Sequence, residues 1–353
     1  MSGLKKVLLE RIRQDGPLTV ADYMAACLFD PAHGYYSTRE PFGAAGDFVT
    51  SPEISQMFGE LLGLALAQAW LDQGAPAPFV LAEFGPGRGT LMADVLRATR
   101  RVPGFHAAMR LCLLEASDRL RAVQQAALSG AAPVWIAAPE DLPEAPLFLL
   151  ANEFFDALPV RQFLRDDAGW RERLVGVQGG DLVFGLSEPL PVSGFDPRFS
   201  GDPPGTLVEL CPAARPFVAA VAARIRAHGG LAIIADYGAW RSRGDTLQAL
   251  RRHRPADPLA QPGAADLTAH VDFEALALAA GPGLAKAYAG QGDVLRRLGI
   301  EARTEALARG LGGDALENHL AAARRLTAPS EMGELFRMLA LFPADAPQPP
   351  GFA

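Results

Sequence analysis

Short apolar runs alternate with helical patterns through the middle of the chain. The runs have the length of buried strands and are bounded by Gly, Pro and polar residues. They predict strands at 79–84, 110–115, 133–137, 146–152 and 231–236. Because strands that alternate with helices pair in parallel, we expect an α/β fold with a doubly wound, Rossmann-like sheet. Two further strands are predicted near the end of the chain, at 284–289 and 335–341.

Other regions interrupt this alternation. Residues 160–188 have the pattern of antiparallel strands joined by turns, which indicates an insertion on the parallel core. The Arg- and Pro-rich stretch from 239 to about 263 predicts a long loop, after which 266–273 is expected to open a helix. Helices are also predicted at 1–36, 53–72, 212–228 and 292–333.

The first predicted strand ends in a carboxylate and leads into a glycine-rich turn. Glu83 is followed by Gly85, Gly87 and Gly89, and a helical pattern begins at Leu91. In doubly wound folds this unit holds a nucleotide-like cofactor, because glycines adopt positive φ and let a ligand approach the main chain. Glu83 would repel the diphosphate of NAD but attract an ammonium group and a sulfonium. The turn therefore favours S-adenosylmethionine, and a plain strand–helix turn is the alternative.

A second carboxylate, Glu115, ends the next predicted strand. A carboxylate at that position can accept hydrogen bonds from both hydroxyls of a cofactor ribose. The alternative role for Glu115 is to cap the following helix, but Ser117 is well suited to that role. We therefore interpret Glu115 as a cofactor-binding residue.

Polar residues also follow two later strands. Asn152 is the last residue of the strand at 146–152, and Glu153 and Asp156 come directly after it. The carboxyl ends of parallel strands line the ligand crevice, and two nearby carboxylates can bind a guanidinium through charge-assisted hydrogen bonds. A solvated turn with Asp156 as a cap explains the same pattern equally well. Tyr237 follows the strand at 231–236, and His270 lies in a polar segment before a helix, where a lone histidine is more often structural.

Composition excludes several classes of function. The 353 residues carry a net charge of −7 without a basic patch, which argues against nucleic-acid binding. No apolar run approaches the ~20 residues of a membrane span, and we see no secretory signal pattern. The three cysteines are widely separated and have neither metal-site nor disulfide spacing. We expect a cytoplasmic protein without a metal and without nucleic-acid or membrane partners; its oligomeric state is open.

The segments that carry these residues together resemble the MidA-like family of class I S-adenosylmethionine-dependent methyltransferases. That family includes the mitochondrial complex I assembly factor that methylates a protein arginine. The matching segments follow family order at 34–36, 46–53, 83–90, 152–159, 236–238, 266–273 and 329–333. The resemblance implies a seven-stranded methyltransferase sheet with an N-terminal helical extension, an antiparallel β insertion and a C-terminal helical insertion.

The resemblance also implies cofactor-binding residues and domain limits. The expected cofactor-binding residues are Glu83, Gly85, Pro86, Gly87, Gly89, Glu115, Thr50, Ser51 and Pro52. The last three belong to the segment 46–52, which is expected to lie over the cofactor. The expected division is an N-terminal extension with this covering segment at 1–75, a methyltransferase core at 76–342 with insertions at 160–205, 239–265 and 291–333, and a loose tail at 343–353.

The expected reaction is methyl transfer by in-line displacement from the sulfonium, which depends on alignment more than on a strong acid or base. The resemblance implies symmetric dimethylation of an arginine, in a protein substrate such as a respiratory complex subunit. Glu153 and Asp156 are expected to orient the guanidinium and to hold the methylated product, and Asn152 is a further catalytic candidate. Tyr237 and His270 are expected to shape the pocket or to pass the departing proton to water.

Three other functions stay open. The chain could methylate a small molecule, or it could be a non-catalytic assembly factor that keeps the fold. An NAD-dependent dehydrogenase has the least support, because its Gly-x-Gly-x-x-Gly motif requires a glycine where this chain has Thr90.

Overall fold

The computed structural model of the protein describes residues 3–38, 50–190, 195–251 and 254–352. The expected covering segment is therefore described only from Thr50, and 46–49 lie outside the described residues. The described residues form two compact units. The first unit combines the described parts of Met1–Phe48, Asp156–Ala214 and Trp240–Asp272, and the second combines those of Val49–Phe155, Arg215–Ala239 and Phe273–Ala353.

The helices within the described residues are α1 (Gly3–Asp15), α2 (Val20–Phe29), α3 (Tyr35–Thr38), α4 (Ser51–Ile54), α5 (Gln56–Asp72), α6 (Thr90–Thr99), α7 (Phe105–Ala108), α8 (Asp118–Ala127), α9 (Ala214–His228), α10 (Phe273–Ala279), α11 (Gln291–Arg297), α12 (Ile300–Ala308) and α13 (Gly313–Thr327). The strands are β1 (Leu18–Thr19), β2 (Phe79–Phe84), β3 (Met109–Leu114), β4 (Val134–Ile136), β5 (Leu147–Asn152), β6 (Arg161–Arg165), β7 (Trp170–Gln178), β8 (Asp181–Leu186), β9 (Leu207–Leu210), β10 (Gly230–Ala239), β11 (Gln248–Arg251), β12 (Arg254–Ala256), β13 (Asp266–Thr268), β14 (Val271–Asp272), β15 (Leu284–Gly290) and β16 (Phe336–Pro343).

The second unit is built on a mixed sheet. Within the described residues, its seven strands follow the order β15–β16–β10–β5–β2–β3–β4. The strands from β10 to β4 pair in parallel, whereas β16 is antiparallel to both β10 and β15. This order confirms the expected α/β fold, and every strand predicted for this sheet is present.

The core of the second unit explains why β2 is apolar at every position except Glu83. All six residues of β2 are buried, as expected for a central parallel strand with both faces covered. The ring of Phe79 lies 5.6 Å from Trp70 of α5 and 4.8 Å from Phe105 of α7, measured between ring centroids. Burial of each such side chain contributes roughly 1.5–3 kcal/mol. This packing fixes the strand whose carboxyl end carries the glycine turn.

The first unit contains an antiparallel sheet, as the pattern at 160–188 predicts. Its strands follow the order β1–β7–β6–β9, and β8 pairs with β7. Helices α1 and α2 share a hydrophobic core with strand residues such as Val175 and Leu182. Helix α2 begins with a capping box, because the Thr19 side chain accepts a hydrogen bond from Asp22 N at 3.0 Å and the Asp22 carboxylate accepts one from Thr19 N.

Two expectations for the stretch after β10 are wrong. The stretch from 239 to 263 is not only a loop: it contains the antiparallel hairpin β11–β12, which pairs with β13 in a small sheet. Residue 266 begins strand β13, and the helix starts only at Phe273. The hairpin escaped prediction because β12 is exposed throughout and has no alternation of apolar residues.

The end of the chain also differs from expectation. Phe352 is only 6% exposed and packs into the core of the second unit, so the segment 343–353 is not loose at this residue. The domain limits expected from the sequence stay a prediction.

Candidate active site

The carboxyl ends of β10, β5, β2 and β3 lie side by side in the sheet of the second unit. Asn152 of β5 pairs in register with Ala235 of β10, and Ala151 pairs with Phe84 of β2. The polar residues that follow these strands therefore occupy one edge of the sheet. This edge is where parallel α/β sheets bind their ligands.

The glycine turn after β2 needs its glycines. Gly85, Gly87 and Gly89 have φ of 63°, 53° and 83°, in the left-handed region that favours glycine. A Cβ at Gly85 would also lie 2.8 Å from Cδ2 of Phe154. Gly89 N donates to the carbonyl oxygen of Pro86 at 2.7 Å, which closes the turn before α6 begins. The main chain is thus held in a conformation that a side-chain-bearing residue would strain.

Glu83 is a buried carboxylate beside this turn. It is 2% exposed, and its Oε2 has no hydrogen-bond partner among the described residues. Burial raises the pKa of Glu83 to about 8, and a backbone hydrogen bond from Met92 opposes this shift only in part. An unpartnered buried carboxylate oxygen fits a cationic group. It therefore suits the ammonium of S-adenosylmethionine.

Glu115 follows β3 and is half-buried. Its Oε1 accepts a hydrogen bond from Ser117 N at 2.8 Å, and its Oε2 accepts one from Gln124 Nε2 at 3.1 Å. Burial raises the pKa of Glu115, and these hydrogen bonds lower it. A carboxylate has about four acceptor positions, so both oxygens keep capacity for a ribose diol. The side chain of Ser117 accepts a hydrogen bond from Leu120 N, so Ser117 takes the capping role considered for Glu115.

Gln124 is a residue that sequence reasoning missed. It is fully buried on α8 and contacts both the glycine turn and Glu115. The available signal was its position: Gln124 follows the buried Leu120 by four residues, so a polar side chain falls on the apolar face of this helix.

Asn152 and Glu153 form a polar corner at the end of β5. Asn152 Nδ2 donates to Glu153 Oε1 at 3.0 Å, and Ser51 N donates to the same oxygen at 2.9 Å. Glu153 has a φ of 51°, which is uncommon for a residue other than glycine. Asn152 Oδ1 is buried and has no hydrogen-bond partner among the described residues. Asn152 Oδ1 is therefore a hydrogen-bond acceptor that is available to a ligand.

The covering segment is anchored to this edge from two sides. Ser51 and Pro52 are buried, and Thr50 is the N-cap residue of α4. The Ser51–Glu153 hydrogen bond attaches α4 to β5. On the other side, Thr90 Oγ1 donates to Glu53 Oε1 at 2.6 Å, which attaches α4 to the start of α6. Both contacts hold Thr50–Pro52 beside the predicted cofactor residues.

Tyr237 lies within β10, close to the carboxyl end of the strand, and is 8% exposed. Its ring lies 5.5 Å from that of Phe336. The preceding Asp236 is fully buried, and its carboxylate accepts hydrogen bonds from Phe155 N at 3.0 Å and Tyr237 N at 2.9 Å. Asp236 thus fixes the chain after β5, a positioning role that its place in the sequence does not reveal.

The other two predicted catalytic residues lie in the first unit. Asp156 is 6% exposed, and its carbonyl oxygen accepts a hydrogen bond from Ala269 N at 3.0 Å, next to His270. His270 is half-buried, its backbone N donates to Thr246 Oγ1 at 2.8 Å, and burial lowers the pKa of its imidazole. The structure thus brings Asp156 near the backbone beside His270, and it groups Asn152, Glu153 and Tyr237 in the second unit.

Comparison with known proteins identifies the family. A family model described as "Putative S-adenosyl-L-methionine-dependent methyltransferase" matches residues 61–288. The chain belongs to this family. The methyltransferase is 37% identical to the protein arginine methyltransferase NDUFAF7, mitochondrial, of Bos taurus, and the match covers 95% of this chain and 82% of that protein. Its identity to the Homo sapiens protein of the same description is 35%, with 95% and 82% covered.

A solved structure supports the cofactor assignment. A COG1565 superfamily member from Burkholderia thailandensis, bound to S-adenosyl-homocysteine, matches the methyltransferase with a TM-score of 0.85 and 31% identity. The match covers 99% of this chain and 94% of that chain. The protein is therefore an S-adenosylmethionine-dependent methyltransferase. None of the described helices combines the length and apolar character needed to cross a membrane.

Proposed function

We propose that the methyltransferase methylates arginine side chains of a protein and forms symmetric dimethylarginine. The names of its relatives support the arginine substrate, since the proteins at 37% identity are protein arginine methyltransferases. Symmetric dimethylation, and a respiratory complex subunit as the substrate, follow from the family resemblance. The protein has free thiols at Cys27, Cys112 and Cys211, which is consistent with the proposed cytoplasmic location.

The observation that carries the arginine proposal is the unused acceptor of Asn152. Because Asn152 Nδ2 donates to a carboxylate, which only accepts, the amide orientation is fixed and Oδ1 is left as an acceptor. A buried acceptor without a partner costs free energy until a donor reaches it. The arginine guanidinium offers five N–H donors, so it can supply that partner.

S-adenosylmethionine, when bound, supplies the methyl group from its sulfonium. The chain's own residues bind and align the reactants. Glu83 pairs with the ammonium, Glu115 accepts hydrogen bonds from the ribose, and the glycine turn lets the cofactor approach the main chain. Asn152 orients the nitrogen that is to be methylated. Alignment of this kind can supply much of the rate of a displacement that needs no strong acid or base.

The remaining predicted catalytic residues have proposed roles that follow from their chemistry. The carboxylates of Glu153 and Asp156 stabilise the cationic guanidinium and its methylated product. The imidazole of His270, with its pKa lowered by burial, is neutral near pH 7 and can accept the proton that the nitrogen loses. Tyr237 shapes the pocket.

The test is methylation of an extract from cells that lack this gene. The purified chain is incubated with the extract and methyl-labelled S-adenosylmethionine, and the proteins are hydrolysed to amino acids. We expect label in monomethylarginine and symmetric dimethylarginine. The matched variant is Asn152→Ala, which we expect to lower the rate at least tenfold while S-adenosyl-homocysteine affinity changes little, because Asn152 acts on the substrate.

Other products would contradict the proposal. Label in lysine or only in small molecules would exclude arginine as the substrate. Label in asymmetric dimethylarginine would contradict symmetric dimethylation alone. Binding of the cofactor without any transfer would favour the non-catalytic assembly role.

A further inference from the structure

A buried amide links the two cofactor elements of the second unit. Gln124 is 0% exposed on α8. Its Nε2 donates to the carbonyl oxygen of Gly87 at 2.8 Å and to Glu115 Oε2 at 3.1 Å, and its Oε1 accepts from Trp135 Nε1 at 2.7 Å. One side chain thus joins the glycine turn after β2 to the carboxylate after β3.

The orientation of this amide follows from the chemistry of its neighbours. The indole N–H of Trp135 can only donate, so it must face the amide oxygen of Gln124. The Gly87 carbonyl and the ionised Glu115 carboxylate can only accept, so they must face the amide nitrogen. Both N–H groups and the oxygen are then satisfied. A flipped amide would set oxygen against two acceptors and leave the indole unpaired.

Other contacts of Glu115 come from Ser117 N, which donates to the carboxylate, and from Arg121, which donates to the backbone carbonyl. The Arg121 guanidinium donates to the Glu115 carbonyl oxygen through Nε at 2.8 Å and a terminal nitrogen at 2.5 Å. Gln124 supplies a side-chain hydrogen bond to this carboxylate from helix α8, whereas Ser117 supplies one from the neighbouring backbone. Gln124 is also the donor shared with the glycine turn.

We propose that Gln124 is a positioning residue for the cofactor, which holds the Glu115 carboxylate and the Gly87 carbonyl in place while Trp135 fixes the orientation of its amide. The inference rests on the cofactor role assigned to Glu115. It does not depend on which nucleophile accepts the methyl group. The ligand portion concerned is the ribose of an adenosine.

The test is calorimetric binding of S-adenosyl-homocysteine to the full chain. Gln124→Met keeps the length of the side chain but removes its hydrogen bonds, and we expect it to weaken binding roughly tenfold, the equivalent of one charge-assisted hydrogen bond. Trp135→Phe keeps an aromatic ring but removes the N–H, and we expect a smaller loss of about threefold. The control is Gln125→Met, on the exposed face of the same helix, which should bind within about twofold of the native chain.

A second readout separates positioning from general destabilisation. The ligand is 5′-methylthioadenosine, which has the ribose but no ammonium, so Glu83 has no cation to meet. Burial raises the pKa of Glu115, while Ser117 N–H, the Gln124 amide and the charge of Arg121 lower it. Loss of the Gln124 donor should therefore move the acid limb of the binding profile to higher pH. A change in packing alone would not move that limb.

Binding by the Glu115→Ala variant separates an error in the role of Gln124 from an error in the role of Glu115. If Glu115→Ala binds S-adenosyl-homocysteine as the native chain does, the role of Glu115 is wrong and the inference falls with it. If Glu115→Ala loses binding but Gln124→Met and Trp135→Phe do not, the inference alone is wrong. Thermal unfolding checks that each variant folds. If Gln124→Met does not fold, the binding affinity of Trp135→Phe decides whether Gln124 positions the cofactor residues.

Discussion

Burial of the Glu83 carboxylate lowers the stability of the folded chain when no ligand is bound. The carboxylate is buried, one oxygen lacks a partner among the described residues, and its pKa is raised to about 8. An ammonium group beside it would offset the loss of hydration and favour the ionised form. Glu83 is the residue by which the sequence favours S-adenosylmethionine over NAD. The ammonium group of the same cofactor also explains why its carboxylate is buried.

The raised pKa of Glu83 predicts how stability changes with pH. In the unfolded chain the pKa of a Glu side chain is ~4.3, so the folded chain binds the proton of Glu83 more tightly than the unfolded chain does. The free energy of unfolding therefore falls as the pH rises from ~4.3 through about 8. Glu83→Gln removes this ionisation. We expect the variant without ligand to melt several degrees above the native chain at pH 9, with a smaller difference at pH 5.5, as measured by calorimetry.

The control for this prediction is Glu305→Gln, on an exposed position of α12. It should leave the melting temperature nearly unchanged at both pH values, since exposed substitutions change stability little. A melting difference for Glu83→Gln that is equal at pH 5.5 and pH 9 would contradict the account.

At the scale of elements, the site is a strand–turn–helix unit with a short helix held against it. The turn needs positive φ at three glycines, and α4 is held by hydrogen bonds to Glu153 and Thr90. The glycine turn and the hydrogen bonds to α4 fix the position of the main chain and contribute little to the charge of the site. The elements can therefore be tested separately from the reacting groups.

The glycine turn is tested by Gly85→Ala. The new Cβ would meet Phe154 at 2.8 Å, and φ is +63°, so we expect both lower stability and at least tenfold weaker binding of S-adenosyl-homocysteine. The control is Gly74→Ala, which has φ of +83° but no atom within 4 Å of its Cβ. It should lose about 1–2 kcal/mol of unfolding free energy and keep its affinity. Native affinity in Gly85→Ala would mean that the turn does not contact the cofactor.

The hold on α4 is tested at Glu153. Glu153→Ala leaves Ser51 N without its acceptor, whereas Glu153→Gln keeps an acceptor oxygen. If Thr50–Pro52 covers the cofactor, stopped-flow release of S-adenosyl-homocysteine should be several-fold faster in Glu153→Ala and near native in Glu153→Gln. Glu144→Ala, at an exposed position, is the control. Native release from Glu153→Ala would show that this contact does not secure the segment over the cofactor.

The charge of Glu153 and Asp156 is a separate question. If the two carboxylates bind the guanidinium, Glu153→Gln and Asp156→Asn should each lower the methylation rate while cofactor affinity stays native. Full transfer rates in both variants would make that assignment wrong.

At the scale of the whole molecule, local pattern predicts the sheet of the second unit well. Its central strands, such as Phe79–Phe84, are buried and mostly apolar, and their order along the chain alternates with helices. Each unit nevertheless combines three separate stretches of sequence; those of the first unit are the described parts of Met1–Phe48, Asp156–Ala214 and Trp240–Asp272. Periodicity reports on neighbours along the chain, so it could not show that these stretches pack together.

In the candidate site, too, the features set by local sequence were predictable, and those set by contacts between separate segments were not. The positions of Glu83, Gly85 and Glu115 at this edge of the sheet were predictable because these residues lie at or next to strand ends, and their roles in cofactor binding stay predictions. Gln124 was not, since its role arises from three hydrogen bonds to residues distant in sequence. Glu153 was predicted as a carboxylate for the substrate, yet its hydrogen bond to Ser51 N gives it a positioning contact that no spacing rule reveals.

The most direct test of the account is calorimetric titration of the purified chain with S-adenosylmethionine and, separately, with NAD. We expect micromolar binding of S-adenosylmethionine, no binding of NAD, and loss of S-adenosylmethionine binding in both Glu83→Ala and Glu115→Ala. Native affinity in these two variants would contradict the assignment of the cofactor site to the edge of β2 and β3.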